Sequence, residues 1–119
     1  MKRLLLIEDD ADTLNLLQNI FQDEGYEVIS YLDKNSIKGV IINRPDLVVL
    51  DNKLKDGFGH ELCSEIKAND LTKHIPVILT SGYADLADLA QQCGADAYLA
   101  KPFDVDALIK QVHELADGM

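Results

Sequence analysis

Five short apolar runs alternate along the chain with segments of helical period. The runs are Arg3–Ile7, Glu27–Tyr31, Leu47–Leu50, Pro76–Thr80 and Ala97–Ala100. LVVL and PVILT carry no polar alternation, the mark of strands buried on both faces of a parallel sheet. Between the runs, apolar residues recur at helical spacing. Leu14, Leu17 and Phe21 form one stripe, and Ile37, Val40 and Ile41 a second. Phe58, Leu62 and Ile66 form a third, and Leu86, Leu89, Ala90 and Cys93 a fourth. Val105, Leu108, Ile109 and Val112 form the last, with Asp104 placed to cap its helix. Each stripe predicts core packing. Gly25 and Gly94 follow the first and fourth helices, where a left-handed residue commonly closes a helix.

Strand–helix alternation repeated five times predicts a parallel α/β sheet with helices on both faces and right-handed crossovers. A chain of 119 residues is too short for an eight-stranded barrel, so the sheet is open, and one domain over 1–119 is expected. Ligands of such sheets bind beyond the carboxyl ends of the strands. The first strand ends in Glu8, Asp9 and Asp10, and the third in Asp51. The fourth ends in Thr80, Ser81 and Gly82, and the fifth in Lys101 and Pro102. The fold therefore gathers carboxylates, a hydroxyl and an ammonium on one rim. Asp10 and Asp12 are expected to serve as first-turn acids of the following helix.

Two carboxylates ~5 Å apart at an effective dielectric near 20 repel by roughly 3 kcal/mol. Such a cluster holds a proton or binds a hard cation, and all-oxygen ligands favour Mg²⁺ or Mn²⁺ over zinc. Phosphoryl transfer consists mostly of positioning and charge neutralisation, and a carboxylate can be its nucleophile. The chain has no GxxxxGK[ST] and no GxGxxG, so acyl or histidine-linked phosphates fit better as donors than nucleotides.

The formal net charge of −10 disfavours direct nucleic-acid binding, which rests on neutralising phosphates. No apolar run approaches a membrane span, the opening MKRLLLIEDD is too short for a signal peptide, and a cytoplasmic location is expected. Cys63 and Cys93 match no zinc spacing and read as reduced core thiols, a redox role being the alternative. His60, His74 and His113 lie away from the carboxyl strand ends and are expected to have surface or packing roles.

Four segments together resemble the receiver domains of two-component response regulators. They are LLLIEDDAD, PDLVVLDNKLKDGFG, IPVILTSGYAD and GADAYLAKPF, in that order, and the resemblance covers essentially the whole chain. It is similar in size to the single-domain chemotaxis regulator. The resemblance implies a flavodoxin-like (βα)₅ fold with strand order 2-1-3-4-5. It implies Asp51 as phosphoacceptor, with Mg²⁺ (or Mn²⁺) held by Asp9, Glu8, Asp51 and the backbone carbonyl of Lys53. Ser81 matches the switch hydroxyl, with Thr80 the weaker candidate, Lys101 the phosphate-binding lysine and Tyr98 the aromatic switch. A cis Lys101–Pro102 peptide is expected too. Lys55 departs from a frequent proline, and Lys53 and Tyr83 flank the site.

On this reading a sensor histidine kinase or phosphotransfer protein supplies the phosphoryl group. The face of helix 4, strand 5 and helix 5 then docks an output domain or target protein, and a homodimer is left open. The chain would be no enzyme beyond its own phosphorylation and dephosphorylation. A stand-alone regulator and the receiver part of a longer protein fit equally. Two rivals remain. One is a pseudo-receiver that binds partners unphosphorylated. The other is a Mg²⁺-dependent phosphatase with an aspartyl nucleophile, against which stands the missing second acid in Asp51-Asn52-Lys53.

Overall fold

The computed structural model describes residues 2–31, 37–54, 57–82, 85–102 and 104–117. Five parallel strands form one sheet: β1 (Arg3–Ile7), β2 (Glu27–Tyr31), β3 (Leu47–Asp51), β4 (Val77–Ser81) and β5 (Ala97–Ala100). Their order is β2-β1-β3-β4-β5, the doubly wound flavodoxin-like order. Five helices connect and cover them: α1 (Ala11–Asp23), α2 (Ile37–Asn43), α3 (Gly59–Ala68), α4 (Leu86–Cys93) and α5 (Val105–Ala116).

Strand side chains alternate between faces, and the core divides accordingly. Leu4 and Leu6 of β1 join Leu47, Val49 and Ile78, and pack on Leu14, Leu17 and Phe21 of α1 and Leu108 and Val112 of α5. Leu5 and Ile7 face the other way. With Val48, Leu50, Val77 and Leu79 they meet Val40, Leu62, Ile66, Leu86 and Ala90 of α2, α3 and α4. The interior strands β3 and β4 are buried at every position. The outer strands β2 and β5 are only half covered, because each has one neighbour in the sheet.

Several boundaries differ from the sequence reading. Pro76 stays outside β4, which runs on to Ser81, and β3 continues to Asp51. Phe58 does not join the buried stripe of α3. It precedes the helix and is 46% exposed, its place in the core taken by Gly59, Leu62, Cys63 and Ile66. The reason is a two-residue antiparallel ladder, Lys53–Leu54 with Gly57–Phe58, which turns Phe58 outward before the helix begins. Asp10 is the N-cap of α1, its carboxylate accepting from the Asp12 N–H and the Thr13 hydroxyl, while Asp12 lies in the first turn. Asp104 caps α5 through the Asp106 N–H, and Gly94 closes α4 in the left-handed region at φ 80°. The Lys101–Pro102 peptide is cis.

Candidate functional site

All five strands point the same way, so their carboxyl ends share a rim. The register aligns Ile7 with Leu50, Asp51 with Thr80, and Ser81 with Ala100. The residues that follow those ends line a cleft of about 440 Å³: Glu8, Asp9 and Asp10 after β1, Asp51 and Lys53 at β3, Ser81 and Gly82 at β4, and Lys101 after β5. Thr13, in the first turn of α1, closes one side.

Glu8 and Asp51 are both 5% exposed and lie in contact with one cation. The Lys101 ammonium sits 3.0 Å from Glu8 Oε2 and 3.2 Å from Asp51 Oδ1. Glu8, Asp9 and Asp51 each offer a carboxylate oxygen, all within 4.8 Å of one another. Three carboxylates against one ammonium leave an excess of negative charge in a half-buried pocket.

The titration behaviour follows from that imbalance. Burial raises the Glu8 carboxyl, the charge of Asp51 raises it further, and the bond to Lys101 offsets part of the rise. Burial also raises Asp51, Asp9 adds to it, and Lys101 opposes both. For Lys101 burial disfavours the cation, yet the bond to Glu8 and the charge of Asp51 outweigh it and hold the ammonium above its ordinary range. Hard all-oxygen donors at this spacing suit a divalent cation such as Mg²⁺, which would neutralise the remaining negative charge.

The rim assembles Glu8, Asp9, Asp51, Lys53, Ser81 and Lys101 into one pocket. Thr80, also buried, pairs with Asp51 along the sheet and does not line the cleft. Tyr98 stands apart: it is 48% exposed on β5 and borders a separate hollow with Gln91 of α4 and Gln111 of α5. Lys55 and Tyr83 lie outside the described residues.

Sequence reasoning passed over Asn52. Its side chain, 1% exposed, accepts from the His60 backbone N–H at 2.9 Å and meets the His60 ring nitrogen Nδ1 at 2.9 Å. Phe58 at the N-cap has no oxygen to offer α3, and Asn52 supplies one from the end of β3. Gly59 completes the joint. Its N–H donates to the Asn52 carbonyl at 2.6 Å, and a Cβ there would collide with the Asp51 carbonyl. The only sequence signal was an amide directly after the strand-ending acid, with a glycine seven residues on.

The family model of the response regulator receiver domain matches residues 4–113. The DNA-binding dual master transcriptional regulator RpaA of Synechocystis sp. is 33% identical over 97% of this chain and 49% of its own length. The chain thus spans about half of that relative. The polar-differentiation response regulator DivK of Brucella anthropi is 29% identical over 93% of both chains. A solved structure of the receiver domain of sensor histidine kinase PA1611 from Pseudomonas aeruginosa PAO1 superposes with a TM-score of 0.87. It shares 23% identity over 98% of each chain, and has a magnesium ion coordinated in its active-site cleft.

Proposed function

This chain belongs to the response regulator receiver family, and from that premise we propose that Asp51 accepts a phosphoryl group from a partner's phosphohistidine, which turns the protein into a signal. The observation that carries this is the single ammonium of Lys101 bridging Asp51 and Glu8 beside Asp9.

Asp51 is the carboxylate placed to attack: it ends the central strand β3, opens into the cleft and lies next to Lys101. Glu8 and Asp9, with Asp51 and the Lys53 carbonyl, would hold Mg²⁺ (or Mn²⁺). When bound, that cation supplies neutralisation of the phosphoryl oxygens and of the acids around them. Lys101, already paired with Glu8 and Asp51, pairs with a phosphoryl oxygen as its contact to Asp51 is replaced. The Ser81 hydroxyl, at the end of the adjacent strand, donates to another. Burial of Glu8 and Asp51 limits water at the acyl phosphate.

The new charge is read by Ser81 and by Tyr98, which stands half-exposed on β5. That biases a two-state equilibrium of the face made by α4, β5 and α5, where an output domain or target protein docks. The donor is a sensor histidine kinase or a phosphotransfer protein, the location cytoplasmic, and turnover is limited to the protein's own phosphate. Among the described residues no helix is long and apolar enough to cross a membrane.

Beryllofluoride, which mimics an acyl phosphate, tests the site. Amide spectra are expected to shift around Asp51, Ser81 and Lys101 only when Mg²⁺ is present, and to reach Tyr98. In Ser81→Ala the shift at Tyr98 is expected to be lost while that at Asp51 persists. No binding with Mg²⁺ present would sink the proposal and favour a pseudo-receiver.

A further inference from the structure

Away from the cleft, α3 and α4 bring two cysteines together. Cys63 in the middle of α3 is fully buried, and Cys93, the last residue of α4, is 4% exposed. The Cys63 thiol donates to the Cys93 carbonyl at 3.4 Å, and the Cys93 thiol to the Ala90 carbonyl at 3.5 Å. The two side chains also lie within hydrogen-bonding reach of one another. Both belong to the core cluster shared by α3 and α4.

We propose that Cys63 and Cys93 form a reversible intramolecular disulfide that clamps the C-terminal end of α4 to α3. Three features support it. The sulfurs sit on two helices that already touch, and the Cys63 sulfur lies 3.4 Å from the backbone carbonyl of Cys93. The movement that closure needs is available at Cys93, because α4 ends there and Gly94 carries the left-handed turn. A cation acts on the pair from nearby. Lys67 packs its stem against Gly94 and is held by Asp96 at 2.7 Å and the Ile75 carbonyl at 2.8 Å.

The two thiols are unequal in the sense the reaction requires. The neighbouring Cys93 side chain pushes Cys63 up, as does burial. The same contact pulls Cys93 down, against its own burial, with Lys67 helping. Cys93, at the end of α4 and 4% exposed where Cys63 is fully buried, is the thiol the oxidant reaches and the nucleophile, and Cys63 is the resolving group. With hydrogen peroxide as oxidant, the Cys93 thiolate attacks one oxygen and the O–O bond breaks. Hydroxide leaves and is protonated to water, and Cys93 becomes a sulfenic acid. The Cys63 sulfur then loses its proton and displaces the sulfenic hydroxyl, which departs as the second water. Two thiols and one peroxide give one disulfide and two waters. A dithiol reductant reverses it.

The test uses reduced full-length chain exposed to hydrogen peroxide, unfolded, and alkylated. Both alkylatable thiols are expected to disappear together, the intact mass to fall by two hydrogens, and a peptide pair containing Cys63 and Cys93 to appear. Dithiothreitol restores both thiols. Hydrogen exchange along Leu86–Cys93 is expected to slow several-fold in the oxidised form. Asp51→Asn is expected to oxidise like wild type, since the acceptor takes no part. In Cys63→Ala, Cys93 is expected to stop at a sulfenic acid that dimedone traps. Wild type that keeps both thiols alkylatable, gives only sulfinic acid at one sulfur, or links two molecules would overturn the proposal.

Discussion

Replacing Asp51 with asparagine is expected to stabilise the metal-free protein. The carboxylate stands within 4.8 Å of Glu8 and of Asp9, and 3.2 Å from Lys101. At an effective dielectric near 20, each repulsion is worth about 3.5 kcal/mol and the attraction to Lys101 about 5 kcal/mol. The balance favours the neutral amide by about 2 kcal/mol, and solvent at the cleft mouth reduces this toward about 1 kcal/mol. The direction agrees with titration. Burial holds the folded Asp51 carboxyl above its ordinary value of 3.8, so its charged form opposes folding. That opposition is absent below the unfolded value and grows as pH rises toward and through the folded one. Urea unfolding at pH 7 with a chelator and low salt reads the effect, and Asp51→Asn is expected to have the higher midpoint. Adding Mg²⁺ is expected to raise wild type more than the variant, because the cation neutralises the acids the variant lacks. A variant less stable than wild type without metal, or an equal response to Mg²⁺, would refute the electrostatic reading of the cleft.

Other consequences are open to direct measurement. His113, held by Glu24 at 2.9 Å and Asp117 at 3.1 Å and lying 2.7 Å from the Tyr26 hydroxyl, ties α1, β2 and α5 together opposite the cleft. Its bonds to Glu24 and Asp117 raise it above 6.5, so its contribution is full below that pH and is lost as pH rises through the folded value. His113→Gln is expected to flatten unfolding stability across that window, by less than about 1 kcal/mol because the pair is exposed to solvent. Gly59→Ala places a methyl against the Asp51 carbonyl. It is expected to cost about 2 kcal/mol in denaturant unfolding and to weaken Mg²⁺ binding in titration, because the β3–α3 joint must shift.

Much of this molecule is legible along the chain. The interior strands β1, β3 and β4 announce themselves because burial on both faces keeps their central positions apolar, as in LVVL. The rim is legible for a related reason: parallel strands bring Glu8, Asp51, Ser81 and Lys101 to one edge however long the loops between them. What stayed hidden depends on close approach between distant backbones. The ladder of Lys53–Leu54 with Gly57–Phe58 carries no periodic signal over so few residues, and it alone turns Phe58 out of the α3 stripe. Asn52 reads as an ordinary loop amide until α3 arrives above it without a cap of its own. The partial exposure of β2 and β5 likewise reflects their place at the sheet edges, which strand composition does not encode.

The most direct test of the phosphoacceptor is intact mass after incubation with a small acyl phosphate and Mg²⁺, on wild type and Asp51→Asn. The account predicts one added phosphoryl group on wild type, labile to hydroxylamine, absent without the metal and absent in the variant. A wild type that binds Mg²⁺ yet gains no phosphoryl group under rapid quench, or a variant that gains one as readily, would contradict it.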